Sequence, residues 1–383
     1  MNARERFRLA LAHKEPDRVP FDIGGSIVTG VAVKAYERLV PALGLSPRPV
    51  RIQNAYSQIA ALDEDVLEAL DVDTRILEFG ELKYREPEHF EKSGNRMYMD
   101  EWQITYSMPL DGESGFTAVN NPLRGASSVQ DIETYAWPDF RDPARYQGIT
   151  DRARHLSHEK KVGIILETTM GGIFEWPAWL RGMENFLSDL AVDPAMAEAV
   201  IAHLVDLKVA YWEEVLSRAG QYVDLVRESD DLGGQNGLLI SPRMYKRYFK
   251  QGHRRICETI KKHTDAAICL HSCGSVWDLI PDFIEVGFTV LNPVQVGAAK
   301  MEPEALKREF GGDLVFWGGT FDSQQLGGAT PEQVLTVARK HIQAFKPGGG
   351  YIFAPINTIN ADVPPENVIA MREAVREYGA YGE

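Results

Sequence analysis

Cysteine and long apolar runs are both scarce in this 383-residue sequence. Its three cysteines cannot all pair, and a chain of this length needs no disulfide scaffold to fold. No stretch approaches the roughly 18 consecutive apolar residues that a membrane span requires. The first residues form a charged amphipathic pattern instead of the apolar core of a signal peptide. We therefore expect a cytoplasmic protein that does not enter a membrane.

Positive charge is scarce as well. The sequence has 41 Lys and Arg against 55 Asp and Glu, which gives a formal net charge of −14 at pH 7. Such a charge repels phosphate and argues against general binding of nucleic acid or anionic membranes. Apolar residues make up 44% of the chain, which is enough for a sizeable core. With no low-complexity segment or Gly/Ser linker, we expect one domain over residues 1–383.

Short apolar runs alternate with longer amphipathic stretches, many of which begin with an N-cap residue followed by proline, as at Asp193, Ser241 and Thr330. This alternation predicts βαβ units and a parallel sheet. The eight runs are residues 18–23, 74–79, 162–167, 222–231, 266–273, 288–295, 314–322 and 350–357.

Eight strands in a chain of this length predict an α/β fold, the closed (β/α)₈ TIM barrel. We expect an N-terminal helical extension and the first strand within residues 1–70, and an inserted antiparallel hairpin at residues 95–120. An open, doubly wound sheet is the alternative.

Polar side chains end seven of the eight runs, which is where TIM barrels carry their chemistry. These residues are Glu78, Glu167, Glu228, Asp230, Asp231, His271, Cys273, Asn292, Gln295, Asp322 and Asn357. The pattern predicts an acidic barrel mouth. Structural roles remain open for individual residues, because Asp230 and Asp231 also suit the Gly-rich turn after them and Glu167 also suits an ion pair.

The segment AAICLHSCG at residues 266–274 places His271 and Cys273 two residues apart on a strand. Their side chains point the same way, with Cα atoms about 6.6 Å apart, so both can bind one zinc ion. Cys269 lies about 13 Å from Cys273 along the strand and is better explained as a core thiol. Cys257 fits the packed face of a helix. Simple packing of His271 and Cys273 at the mouth is the alternative.

A catalytic zinc normally has three protein ligands and one open position. The third must come from another strand end, and the candidates are Glu228, Asp230, Asp322 and the amide of Asn357. A carboxylate is favoured because an amide oxygen is a poor zinc ligand.

Segments spread over nearly the whole chain resemble the uroporphyrinogen decarboxylase superfamily. They are NARERFRLALAHKEPDRVPF, FEWPAWLRGMENFLSDLAVDP, SDDLGGQNGLLISPRMYKRYFK, LHSCG, LNPVQ, GGTFD and GGGYIFAPINTINADVPPENV. The resemblance implies a (β/α)₈ barrel with its site at the C-terminal mouth.

This superfamily has a porphyrin-decarboxylating branch and a cobalamin-dependent methyltransferase branch. The decarboxylating branch has an arginine-rich segment after its R-V-P, where this chain reads FDIGGSIVTG, and a late histidine where this chain has Asn357. The methyltransferase branch binds zinc through His-x-Cys and a distant third ligand, commonly cysteine, which this chain lacks. The resemblance therefore favours the methyltransferase branch with a carboxylate as third ligand.

On this basis we expect a zinc-dependent methyltransferase that moves a methyl group between a small methylated substrate and a corrinoid protein. The substrate would be a methoxy-aromatic compound, a methylamine or a thiol. The chain has no Asp-x-His-x-x-Gly segment for a corrinoid, so cobalamin would be carried by the partner protein. A homodimer is also expected. A metal-free decarboxylase and a non-catalytic corrinoid- or tetrapyrrole-binding barrel are the alternatives.

The predicted site residues fall into three groups. Glu167, Asp231 and Asn357 are expected to be catalytic, with Glu167 and Asp231 as acid/base groups. The expected substrate-binding residues are Glu78, Trp176, Trp179 and Gln295. The expected metal ligands are His271 and Cys273, together with one of Glu228, Asp230 and Asp322.

Overall fold

A computed structural model of the protein describes residues 1–78, 89–110, 115–169, 171–321 and 323–382. The strands of this structure are β1 (Val31–Ala32), β2 (Ile52–Asn54), β3 (Ile59–Ala60), β4 (Thr74–Leu77), β5 (His89–Lys92), β6 (Asn95–Met99), β7 (Thr105–Pro109), β8 (Thr117–Ala118), β9 (Gly163–Glu167), β10 (Leu225–Ser229), β11 (Ala267–His271), β12 (Val290–Asn292), β13 (Val315–Trp317) and β14 (Tyr351–Ile352).

The α-helices are α1 (Ala3–Leu11), α2 (Val33–Ala42), α3 (Glu64–Ala69), α4 (Val129–Glu133), α5 (Ile149–His155), α6 (Glu175–Arg181), α7 (Met183–Val192), α8 (Pro194–Ala219), α9 (Pro242–Tyr248), α10 (Lys250–His263), α11 (Ile280–Val286), α12 (Pro303–Phe310), α13 (Ser323–Leu326), α14 (Pro331–Phe345) and α15 (Pro365–Tyr378). The N-caps predicted at Asp193, Ser241 and Thr330 are confirmed: each side chain accepts a hydrogen bond from a backbone N–H in the first helical turn. Within the described residues, the structure contains no helix with both the length and the apolarity needed to cross a membrane.

A sheet of parallel strands curves into most of a barrel, in the order β4-β9-β10-β11-β12-β13-β14. Residues 20–22 close the gap between β14 and β4. Phe353 exchanges two backbone hydrogen bonds of 2.9 Å with this segment, and Asp73 N donates to Phe21 O at 2.8 Å. The strand predicted at 18–23 is thus present as a short bridge. The TIM-barrel prediction is confirmed.

Apolar side chains fill the barrel interior from the inward-facing strand positions. They are Ile165, Leu225, Cys269, Val290, Val315, Trp317, Ile352 and Ala354. Phe7 of α1 closes the N-terminal end, because it packs so tightly on Gly163 that a Cβ there would lie 2.5 Å from the ring. Cys269 is fully buried in this interior and Cys257 is buried on α10, as the sequence predicted.

The inserted β structure is larger than the hairpin predicted at residues 95–120. β5 to β8 form a four-stranded antiparallel sheet, and its described part begins at His89. The first strand has the sequence HFEK and is exposed along its length, so it carries no apolar alternation that could reveal it. The buried side of this sheet includes Tyr98 and Tyr106, whose rings stack with centroids 4.8 Å apart.

Candidate metal centre at the barrel mouth

The candidate site lies where β10 and β11 end, at the C-terminal mouth of the barrel. Leu225 of β10 and Cys269 of β11 face the barrel interior. Because strand side chains alternate between faces, the same inward row continues to Asp231 on one strand and to His271 and Cys273 on the other. These two strands are hydrogen-bonded neighbours, so the three polar side chains converge.

Asp231, His271 and Cys273, here called the triad, have ligand atoms that all lie within 4.8 Å of one another. The His271 Nε2 lies 3.5 Å from the Cys273 Sγ and 3.9 Å from the Asp231 Oδ1. Two donors on a tetrahedral zinc stand about 3.4–3.6 Å apart, given bonds of about 2.0–2.3 Å. The spacing and the nitrogen, sulfur and oxygen donors therefore fit a zinc ion with small adjustments.

The turn after β11 holds Cys273 in place. Its backbone N–H donates to the Asp231 Oδ1 at 2.8 Å, and the next N–H, of Gly274, donates to the Gln295 Oε1 at 2.7 Å. Gly274 has a φ of +81°, and a Cβ there would lie 2.6 Å from the backbone of Gly233. Gln295 was predicted to bind substrate; in the structure it is buried and its side-chain oxygen supports this turn.

Asn292 orients the ring of His271. The His271 Nδ1 lies 2.6 Å from the Asn292 Oδ1, and the Asn292 Nδ2 donates to the Trp317 carbonyl oxygen at 3.1 Å. The second bond fixes the amide so that its oxygen faces the imidazole. Nδ1 must then carry the proton, which leaves the lone pair of Nε2 directed at the triad.

Burial shifts the pKa values of both His271 and Cys273. It lowers the pKa of His271, although the Asp231 charge opposes it, so the imidazole is neutral at pH 7. Burial, reinforced by the Asp231 charge, raises the pKa of Cys273. The Asn357 Nδ2 lies 3.8 Å from the Cys273 Sγ, so Asn357 presents its amide N–H to the sulfur.

Glu167 was predicted to act as an acid or base. It ends β9 at the mouth, but its Oε2 accepts a hydrogen bond from the Arg227 Nε at 2.6 Å and its Oε1 accepts one from the Ile27 N at 3.2 Å. Both side chains of the Glu167–Arg227 pair are buried. The ion-pair role left open by the sequence is therefore the one observed.

Glu228 was a predicted metal ligand, and the structure corrects this prediction. It lies on the outward-facing row of β10, where its carboxylate accepts from the Lys208 Nζ at 2.7 Å and from the Trp212 Nε1, both on α8. Buried on that side, Glu228 neutralises a lysine in the helix layer and does not reach the triad.

Asp230 was also a predicted ligand and also lies on the outward-facing row. It is fully buried, and its Oδ2 lies 3.1 Å from the His253 Nε2. Its carboxylate also accepts hydrogen bonds from the backbone N–H groups of Phe174 and Glu175, at 3.0 and 2.9 Å from Oδ1. Asp230 thus holds the start of α6 and is not available to a metal ion.

Two further residues were predicted for the site. Glu78, predicted to bind substrate, accepts hydrogen bonds from the Arg51 Nη1 at 3.2 Å and the Gln53 Nε2 at 3.1 Å. Asp322, the last predicted metal ligand, lies outside the described residues.

Aromatic rings stand on α6 beside the mouth. Trp176 and Trp179 stack with ring centroids 5.9 Å apart, and Tyr56 meets Trp179 edge-on at 5.4 Å. All three side chains are half-buried, so each keeps an accessible surface. Their clustering is consistent with the predicted substrate-binding role of the two tryptophans, in which flat rings offer a surface to an organic group.

Glu175, the first residue of α6, was not predicted from the sequence. Its side chain is half-buried, and its Oε2 accepts a 3.4 Å hydrogen bond from the Gly172 N. Burial and the charges of Asp231 and Asp230 raise the pKa of Glu175 to about 8. The available signal was an acidic residue in the first turn of the helix after β9, which is too common to single out one glutamate.

A family match and one solved structure agree with this fold. The family described as uroporphyrinogen decarboxylase (URO-D) matches residues 107–378, which is more than half of the chain. No curated protein sequence is similar enough to match. Among solved structures, a methyltransferase from Methanosarcina mazei is similar over 99% of both chains, with 17% identity and a TM-score of 0.63. A β-glucosidase from Pyrococcus furiosus aligns over 95% of this chain and 94% of its own, with 12% identity and a TM-score of 0.42. The chain belongs to the uroporphyrinogen decarboxylase family.

Proposed function

We propose that the protein is a zinc-dependent methyltransferase that moves a methyl group between a small methylated substrate and a corrinoid carried by a partner protein. The observation that carries this proposal is the triad, whose three different donor atoms converge at the mouth of the barrel. The fold shared with a methyltransferase supports it. An intracellular location and a homodimer remain part of the proposal.

The chain's own residues would prepare the site for the metal. His271, Cys273 and Asp231 would be the ligands, and Asn292 would keep the His271 Nε2 pointed at the ion. When bound, zinc supplies Lewis-acid activation of a heteroatom in the substrate. The triad would supply three protein ligands, the number that catalytic zinc sites normally have.

The neighbouring groups have supporting tasks in this proposal. Asn357 would donate a weak hydrogen bond to the Cys273 sulfur, whose thiolate form is the zinc ligand. The half-buried rings of Trp176 and Trp179 would hold the organic part of the substrate. The Glu167–Arg227 pair would lie beneath the site, and because the two charges cancel it would add no net charge there.

Methyl transfer to free Co(I) cobalamin tests this function. The zinc-loaded protein is incubated with Co(I) cobalamin and a methyl ether, a methylamine or a methyl thioether, and methylcobalamin is followed by absorbance. We expect formation with at least one donor, with loss in His271→Ala and retention in the control Cys257→Ala, which changes a cysteine on α10. Absence of methylcobalamin with every donor would contradict the proposal.

A further inference from the structure

Asp230 joins the triad to helix α6 through two different parts of the same residue. Its backbone N–H donates to the carbonyl oxygen of the triad member His271 at 2.8 Å. Its buried carboxylate accepts hydrogen bonds from the backbone N–H groups of Phe174 and Glu175, at 3.0 and 2.9 Å from Oδ1, where α6 begins. The distance between the triad and the start of α6 therefore depends on where this carboxylate lies.

The segment before α6 wraps closely around the Asp230 carboxylate. Gly172 lies so near that a Cβ there would overlap the carboxylate, so only glycine fits this position. The backbone N–H of Trp176 donates to the Gly172 carbonyl oxygen at 3.0 Å, which ties the first ring of α6 into the same turn. A buried N–H group is costly to leave without a partner, so this turn must follow the carboxylate if it moves.

Two side chains behind Asp230 hold its carboxylate in place. The Nε2 of His253, on α10, lies 3.1 Å from the Asp230 Oδ2, and its Nδ1 lies 3.0 Å from the hydroxyl oxygen of Tyr245, on α9. A carboxylate only accepts hydrogen bonds, so Nε2 carries the proton in the bond to Asp230. All three residues, here called the relay, are buried, so the solvent does not compete for these contacts.

We infer that Tyr245 and His253 are positioning residues for the reaction. Acting through Asp230, they set how far the aromatic rings of α6 stand from the triad, and so determine how tightly the site binds its methyl donor. This inference rests on the proposed function and deepens it, because it assigns part of the substrate affinity to buried residues that touch neither the metal nor the donor.

The rings that the relay would position are packed together and move as a group. Trp176 stacks on Trp179 with centroids 5.9 Å apart and meets Trp102 edge-on at 5.4 Å. A shift in the first turn of α6 would therefore move a surface made of several rings and not one side chain. Such a surface contacts the donor before and during the reaction alike, so its displacement raises KM more than it lowers kcat.

Tyr245→Phe tests the inference, with Tyr248→Phe as the matched control. Both tyrosines are buried on α9, and each variant loses one hydroxyl contact; the Tyr248 hydroxyl donates to the Leu190 carbonyl oxygen at 2.8 Å, outside the relay. Methyl transfer to Co(I) cobalamin is measured over a range of concentrations of the methyl ether, methylamine or methyl thioether that the unaltered protein uses. We expect Tyr245→Phe to raise KM by about 3–10-fold, the effect of one buried hydrogen bond, with kcat within about twofold. Tyr248→Phe should keep both values.

Two substitutions of His253 give a second comparison. The amide N–H of His253→Gln can still donate to Asp230, whereas His253→Leu offers no donor, so KM should rise more in the leucine variant. Zinc content should equal that of the unaltered protein in every variant, because the triad itself is unchanged. Near-UV circular dichroism reports the packing of the tryptophans, and it should change in Tyr245→Phe but not in Tyr248→Phe.

The outcomes separate the inference from the proposed function. Equal KM values in Tyr245→Phe and Tyr248→Phe would overturn the inference alone, since the relay would then contribute only to stability. Loss of zinc from Tyr245→Phe would overturn it as well, since the relay would then act on the triad and not on α6. Inactivity of the unaltered protein with every donor would reject the proposed function itself, and the inference with it.

Discussion

The Nδ1 of His271 lies 2.6 Å from the Oδ1 of Asn292, an oxygen whose orientation is fixed because the same amide donates to the Trp317 carbonyl. This contact decides which imidazole nitrogen is free. It links β11 to the neighbouring β12, so the ligand geometry depends on the sheet register and not only on the His-x-Cys spacing.

Asn292→Ala is expected to weaken zinc binding by about 10–100-fold, since it removes the group that holds the imidazole tautomer and ring orientation. Zinc affinity is measured by competition with a chromophoric chelator. Asn185→Ala, which alters an asparagine of α7, is the control and should bind zinc like the unaltered protein. Equal affinity in both variants would show that Asn292 has no part in the metal site.

The two adjacent aspartates should behave differently. Asp231→Ala is expected to reduce bound zinc with little effect on stability, because Asp231 is partly exposed. Asp230→Ala is expected to keep zinc but to lower the free energy of unfolding by about 3–5 kcal/mol, since it leaves His253 and two backbone N–H groups without their buried partner. Zinc content and urea unfolding of both variants check this; the reverse pattern would restore Asp230 as a ligand.

Lys208→Met is expected to lower the free energy of unfolding by about 3–5 kcal/mol, because it leaves the buried carboxylate of Glu228 without its counter-charge. Adding Glu228→Gln to this variant should recover part of the loss. Bound zinc should stay unchanged in both. Loss of zinc from the double variant would mean that Glu228 reaches the metal after all.

The pH dependence of stability has a predicted contribution from Asp100. Burial raises the pKa of Asp100 to about 6, although the N–H groups of Trp102 and Ile104 oppose this. The folded pKa lies above the unfolded value of about 4, so folding favours the protonated form. This contribution is fully present below about pH 4 and is lost as the pH rises through 6.

Asp100→Asn removes this titration. Relative to the variant, the unaltered protein should therefore lose about 2 kcal/mol of stability between pH 4 and pH 7. Urea unfolding of both proteins at these two pH values provides the measurement. A constant difference between them would contradict the predicted direction.

The barrel and two of the three triad residues follow from the sequence because they depend on local patterns. Alternating strands and helices define the barrel, and the two-residue spacing of His271 and Cys273 puts both on one face. The third triad residue, Asp231, was predicted to be an acid/base group, while Glu228, Asp230 and Asp322 were the predicted carboxylate ligands. The run at residues 222–231 is buried on both faces, so its apolar pattern cannot tell which of its carboxylates point inward.

Contacts between residues that lie far apart in the chain could not be predicted from the sequence either. In the sequence, Lys208 is one polar residue of a long helix, and no neighbouring residue in the chain identifies Glu228 as its partner. Asn357 and Cys273, 84 positions apart, were both predicted to lie at the barrel mouth, but the contact between the Asn357 amide and the Cys273 sulfur was not. Such pairs depend on how the strands close around the barrel, which a single sequence does not reveal.

X-ray absorption at the zinc edge, on protein of measured metal content, tests the central claim most directly. We predict one zinc per chain, with one sulfur at about 2.3 Å and nitrogen or oxygen neighbours at about 2.0–2.2 Å. Cys273→Ser should remove the sulfur neighbour, while Cys257→Ser should leave it in place. A protein that binds no zinc, or a zinc site without sulfur, would contradict the account.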